Sequence, residues 1–482
     1  MKFDIKIKGV SLLIGMLLPF YTLAQSTITE LLRAKPAAPT QAELHQVGIY
    51  KFSEIRGYQY TLPNGVKVVI RADEGRKDIL MTAICPGGAS IVDDQDFQSA
   101  IHAGAIIGNS GLGDFSTAEI SKFFQLKNIT LNPSIDEKYS TLKGSFLRDD
   151  LETFLQAITL YFTHPKKDKV YFDTYIKSLE ASVAAHNKNP YKVLQDTVNS
   201  LTTINKKRVN TLNTATIKEI NLDKAYEIFR KCFGNARGFT FVFTGNFKAD
   251  EMDNQPPQDV LNLLVQYLGS LPSNADTTTI VDRNTEIPQG KIYKKVYYGH
   301  APLAAVQLIY SGNYQHIDSV NLQLKVLSYL LEKNMDTLKD FSGVNKASVK
   351  LTLNKFPKET YSINVAFKCL PLLVDKKLAI VHQTIANLQH GIKPEQINQY
   401  VTIKKRQLKV QTFDYVFWLH YLTLQYMNGD DPYEIVGYPY NYVMATPESL
   451  KAAAAQFLSG KNYIQAVLLP IGRTAKIAEP AQ

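Results

Sequence analysis

Cysteine is nearly absent from this 482-residue chain: Cys85, Cys232 and Cys369 are an odd, scattered set without a C-x-x-C spacing. That excludes a disulfide framework and a cysteine-based zinc or redox motif, and each thiol reads as a small buried hydrophobe. Neither H-E-x-x-H nor H-x-x-E-H occurs, and no two of the nine histidines stand four residues apart. Two imidazoles therefore cannot grip a metal from one helical turn. No G-x-S-x-G elbow is present for a serine nucleophile. The glycine-rich run Gly108 to Asp114 lacks a Gly-Lys-Ser/Thr ending and follows a predicted helix, so it reads as an interhelical turn and not a phosphate cradle. Past the N-terminus no apolar run reaches membrane length. Lys and Arg exceed Asp and Glu by 54 to 44, but the lysines are dispersed, so nucleic acid is not implied as a partner.

What is there is a large folded protein. Apolar residues at 45% and charged residues at 20% exclude a disordered chain, and the length calls for two or three domains. Lys2, Lys6 and Lys8 precede the short apolar run Val10 to Leu18, and Thr22-Leu23-Ala24 supplies small residues for cleavage. This predicts a secretory signal peptide over 1–24 and an exported location. Residues 25–54 read as a polar leader interrupted by Pro36 and Pro39.

Beyond the leader, Tyr58 to Leu62 and Val66 to Ile70 flank Asn64-Gly65, the strongest short hairpin signal. Ile79 to Ile84 is a third strand ending in Pro86-Gly87-Gly88. Ser99 to Ile107 is helical, and Ser116-Thr117-Ala118-Glu119 is a capping box opening the next helix. Strands at 129–135 and 140–146, helices at 151–162, 171–187 and 222–233, and the strand Phe239 to Thr244 complete a first module over 55–272. A Thr- and Asp-rich linker covers 273–290. A second module over 291–475 repeats the outline: strands at 306–310, 347–353, 361–367 and 463–469, with helices at 319–334, 372–389 and 395–411. Strands in groups argue for an α+β fold of two related modules, each an antiparallel sheet covered by helices.

The hairpin Leu62 to Val69, the strand end Pro86 to Ser90, the helix Ser99 to Gly111, Gly113-Asp114-Phe115-Ser116, Leu160-Tyr161-Phe162 and Phe241 to Phe247 together resemble the insulinase (pitrilysin) metallopeptidases, the inverzincins. They are most similar to the second, non-catalytic half of the periplasmic zinc proteases. The resemblance covers residues 55 to 475 and implies the LuxS/metallopeptidase-like insulinase fold and a periplasmic location. In an active half, a helix carries H-x-x-E-H, with two zinc-binding histidines and a glutamate as general base. Laid on this chain, that helix offers His102 with Ala105 at the base and Ile106 at the second ligand. Ala181 stands near the third-ligand position, with Glu180 one residue off. The resemblance thus implies no catalytic residue, no metal ligand and no cofactor in this chain, with zinc held by a partner subunit. Where the family's second half presents an Arg and a Tyr to substrate, Leu338 and Asn345 stand here, with Lys339 adjacent; Lys339 and Asn345 are the candidate substrate contacts. Two functions follow: a non-catalytic subunit forming half of a peptide-degrading chamber with a zinc-bearing chain, or a stand-alone exported scaffold of the same fold that binds peptides or unfolded polypeptide.

Overall fold

The computed structural model describes residues 36–73, 75–248, 255–335 and 347–471. The first sheet is built from β1 (Gly48–Phe52), β2 (Gly57–Thr61), β3 (Lys67–Ala72), β4 (Asp78–Pro86), β5 (Thr130–Ile135), β6 (Tyr139–Leu147) and β7 (Thr240–Gly245), in the order β1-β2-β3-β7-β4-β6-β5. The second is built from β8 (Lys291–Tyr297), β9 (Ala304–Asn313), β10 (Ser348–Asn354), β11 (Thr360–Cys369) and β12 (Tyr463–Leu469), in the order β10-β11-β9-β12-β8. Read from the other end, the second order superposes on the run β3-β7-β4-β6-β5 of the first. The repeat expected from the outline of the sequence is therefore a repeat of strand topology.

The α+β class and the two helix-covered sheets hold, with one correction. Each sheet contains one parallel pair, β3 with β7 and β8 with β12, and the remaining pairs are antiparallel. A second difference lies in the leader, where Gly48–Phe52 forms edge strand β1. Four of its five residues are exposed, and backbone pairing to β2 holds it in place. The Asn64-Gly65 hairpin forms as expected: Gly65 has φ +86°, and Asn64 Oδ1 accepts from the Val66 amide at 3.2 Å. Ser116 and Glu119 make the reciprocal capping box.

The main helices are α1 (Phe97–Gly108), α2 (Thr117–Leu126), α3 (Leu151–Thr163), α4 (Lys169–Asn187), α5 (Pro190–Leu201), α6 (Leu222–Phe233), α7 (Gln258–Leu268), α8 (Asp318–Asn334), α9 (Val374–His390), α10 (Pro394–Gln411), α11 (Tyr415–Asn428), α12 (Glu434–Asn441) and α13 (Pro447–Phe457). Strand alternation sends Val68, Ile70, Phe241 and Phe243 into a core with helices α1, α3 and α6. Val69 and Val242 point to the opposite face. That face is covered from the second half, by Trp418, Leu419 and Leu422 of α11. The exchange is mutual. Ala305, Ile309, Ile464 and Leu468, on the back of the second sheet, are covered by Leu194 and Val198 of α5 from the first half.

Polar contacts pin α11 at its start. Thr244 Oγ1 donates to the Tyr415 carbonyl at 3.0 Å, Tyr415 Oη donates to Asp78 at 2.9 Å, and the Arg71 guanidinium lies 4.5 Å from the Trp418 ring centroid. Burial pulls Arg71 down to about 10. The segment after α5 is pinned by Arg208, whose side chain has no solvent exposure. It donates to Glu137 at 3.0 Å, Asp94 at 3.2 Å and the Ala89 and Val92 carbonyls at 2.6 and 3.2 Å, so a buried charge is fully partnered. Residues 273–290 carry no helix or strand and are held to the end of β4, with Thr278 Oγ1 donating to the Pro86 carbonyl at 2.8 Å.

Trp418 is the one tryptophan of the chain, so its emission reports the docking of α11 on the first sheet. Leu422→Ala, at a site 1% exposed, should cost about 2–5 kcal/mol. In denaturant titrations of both proteins the tryptophan signal and the far-UV circular dichroism should move together; tryptophan exposure ahead of the loss of secondary structure would refute mutual covering as the stabilising element.

Candidate functional site

Helix α1 follows central strand β4 and, with α2, leads to the edge pair β5–β6, and small residues let it approach β5. A Cβ on Gly104 would stand 2.6 Å from Ser134 Cα, and one on Gly108 would stand 2.3 Å from Pro133 Cγ. The helix is thus a core element: Ala100, Ala103, Ile106 and Ile107 have no solvent exposure. After it, Gly111 adopts φ +90° with the Phe115 carbonyl where a Cβ would be, so the glycine-rich run is a tight turn between α1 and α2.

The three positions that the resemblance implies for a zinc helix fall as follows. His102 is half-buried, and its Nδ1 is 2.7 Å from Tyr175 Oη on α4, with the rings edge to face at 5.8 Å. Burial holds the imidazole below its ordinary pKa and pushes the Tyr175 phenol up to about 12. The pair is neutral at pH 7 and cross-links two helices. Ala105 is half-buried and has no proton to move; Ile106 is fully buried and has no lone pair to donate. Glu180 and Ala181, further along α4, are exposed. Among the described residues no group of three or more His, Cys, Asp or Glu side chains is placed to hold a metal ion. The residues at this helix do not fit zinc. Lys339 and Asn345 lie outside the described residues.

Two features escaped the sequence reading. Tyr175, the partner of His102, is one of many tyrosines, and nothing local marks it. The second is a cavity of about 520 Å³ in the second half, between α8, β10, α10, α11 and α12. Its signal was in the sequence: Asn321, Lys325, Ser328 and Glu332 recur at helical spacing on one side of α8, and all four line the cavity.

Residues 219–404 match the family described as the peptidase M16 inactive domain. Over 412 residues the chain is 23% identical to a "Zinc protease PQQL-like" protein of Arabidopsis thaliana, covering 79% of this chain and 38% of that one. It superposes on the periplasmic protease PqqL from Escherichia coli with a TM-score of 0.75 and 19% identity, over 90% of this chain and 47% of PqqL. On a structure of the first half of PqqL the TM-score is 0.68 at 13% identity, over 90% of this chain and 93% of that one. The chain spans less than half the length of the full-length relatives it matches. The chain is thus similar to zinc proteases of the PqqL type, and residues 219–404 are similar to the inactive domain of M16 peptidases. No described helix is long and apolar enough to cross a membrane.

His102 yields a pH prediction. Its folded pKa lies below the unfolded value, so the unfolded state binds more protons as pH falls through the unfolded pKa, and stability drops toward acid. Urea midpoints of the wild type should fall more between pH 7.5 and 5 than those of His102→Gln. Equal pH slopes would mean that His102 does not titrate differently on folding.

Proposed function

We propose that this chain is a non-catalytic subunit of an exported, periplasmic peptidase, forming half of a peptide-degrading chamber whose zinc is held by a partner chain. The observation that carries this is the fate of α1. The helix keeps its place between central and edge strands, with Ala105 and Ile106 where a base and a ligand would be needed. A chain that spans less than half of a full-length relative, and most of one half of PqqL, supports the same reading. β5 and β10 end their sheets and leave backbone edges to which an extended peptide could pair as an added strand. Lys339 and Asn345 are offered as the charge and the amide that contact bound peptide. The stand-alone scaffold is the reading that remains if no partner exists.

The test is co-purification of the tagged chain from its native envelope, followed by peptidase assay with and without the captured partner. The expected result is an H-x-x-E-H chain in the eluate and chelator-sensitive cleavage only when both chains are present. A chain that stays alone while such a protein is expressed would overturn the subunit reading in favour of the scaffold.

A further inference from the structure

The cavity beside α8 is unusual in what its walls leave unfinished. One wall is aliphatic: Val349, Leu351 and Leu353 alternate along β10 toward it. The facing wall is the polar stripe of α8, while Leu324, Leu327 and Leu331 on the same helix are buried in the core of the second half. Among the described residues two acceptors on that stripe have no partner: Asn321 Oδ1 and Ser328 Oγ are both buried. Ser328 is 8% exposed. An unsatisfied buried polar atom is destabilising, so a ligand that supplies a donor gains from this site.

Charge decides which ligand. Four carboxylates (Asp318, Glu332, Asp430 and Glu434) and two ammonium groups (Lys325 and Lys404) line the cavity. Asp430 is spoken for by Lys355 at 2.6 Å and His316 at 3.3 Å. Asp318 accepts from the neutral amide of Asn441 at 3.2 Å, and Glu434 from the amide of Gln425 at 3.1 Å and from the Asp431 backbone, so neither is paired with a cation at salt-bridge distance among the described residues. Lys325 is exposed at the residue level yet its ammonium is surrounded by protein, and it lies 5.7 Å from the Tyr438 ring centroid. Desolvation lowers its pKa first, while Asp318, Glu434 and Asp430 oppose that shift. The resident lysine is the counter-ion of an acidic recess, and being exposed it can be displaced.

We propose that this cavity is a recognition site for an arginine side chain presented on an extended polypeptide. The guanidinium donates to the unpaired Asn321 Oδ1 and to Glu434 and stacks on the Tyr438 face in place of Lys325, while its methylene stem lies against the β10 aliphatics. The inference deepens the peptide-binding reading above but is tested without any partner chain.

The experiment is calorimetric titration of the full chain with N-acetyl-Ala-Arg-Ala-amide and with its citrulline counterpart, which keeps shape and loses charge. Arginine peptide should bind about tenfold or more tightly than citrulline peptide. Lys325→Met should tighten arginine binding by removing the competing cation; Glu434→Gln should weaken it about tenfold. Asn321→Leu serves as a second weakening variant should Glu434→Gln perturb folding. No binding of the arginine peptide at millimolar concentration, equal affinity for citrulline, or loss of binding in Lys325→Met would each overturn the proposal. Failure to capture a zinc-bearing partner would leave these titrations unaffected, so the two ideas fail separately.

Discussion

The structure depends on an exchange of covers. A sheet in an α+β module has two apolar faces and its own helices cover one; here each module's second face is closed by a helix from the other, α11 on Val69 and Val242, α5 on Ile309 and Leu468. Separating the modules would bare both faces at about 25 cal/mol per Å² of apolar surface. The cavity beside α8 inherits this arrangement, because α11 is at once a cover for the first sheet and a wall for the second half's recess.

Helix α1 is a packing element where the resemblance implies a zinc helix. An H-x-x-E-H helix must keep two imidazoles and a carboxylate turned toward solvent and metal. Here Ile106 is turned into the core, Gly104 and Gly108 seat the helix on β5, and His102 is tied to a tyrosine. The residues of α1 thus serve the packing of the first module.

How much was legible follows from how local each signal is. The Asn64-Gly65 turn and the Ser116–Glu119 box rest on hydrogen bonds within four residues, and both formed where the sequence put them. The long amphipathic helices and the fully buried β7 followed from periodicity. The parallel pairs did not, because β3 meets β7 across most of a module and no residue in Lys67–Ala72 encodes its partner. Strand β1 was hidden among polar neighbours: Ile49 and Tyr50 are exposed, so no alternation betrays it. At the site, Ala105 and Ile106 were readable as residue types, whereas the His102–Tyr175 pair and the recess beside α8 needed the fold to bring distant residues together.

The most direct measurement is the zinc content of the isolated chain, purified without chelator, dialysed against micromolar zinc and assayed by mass spectrometry of the metal. A non-catalytic half predicts zinc well below one equivalent and no change on His102→Ala. One tightly held zinc per chain, lost in His102→Ala, would contradict it.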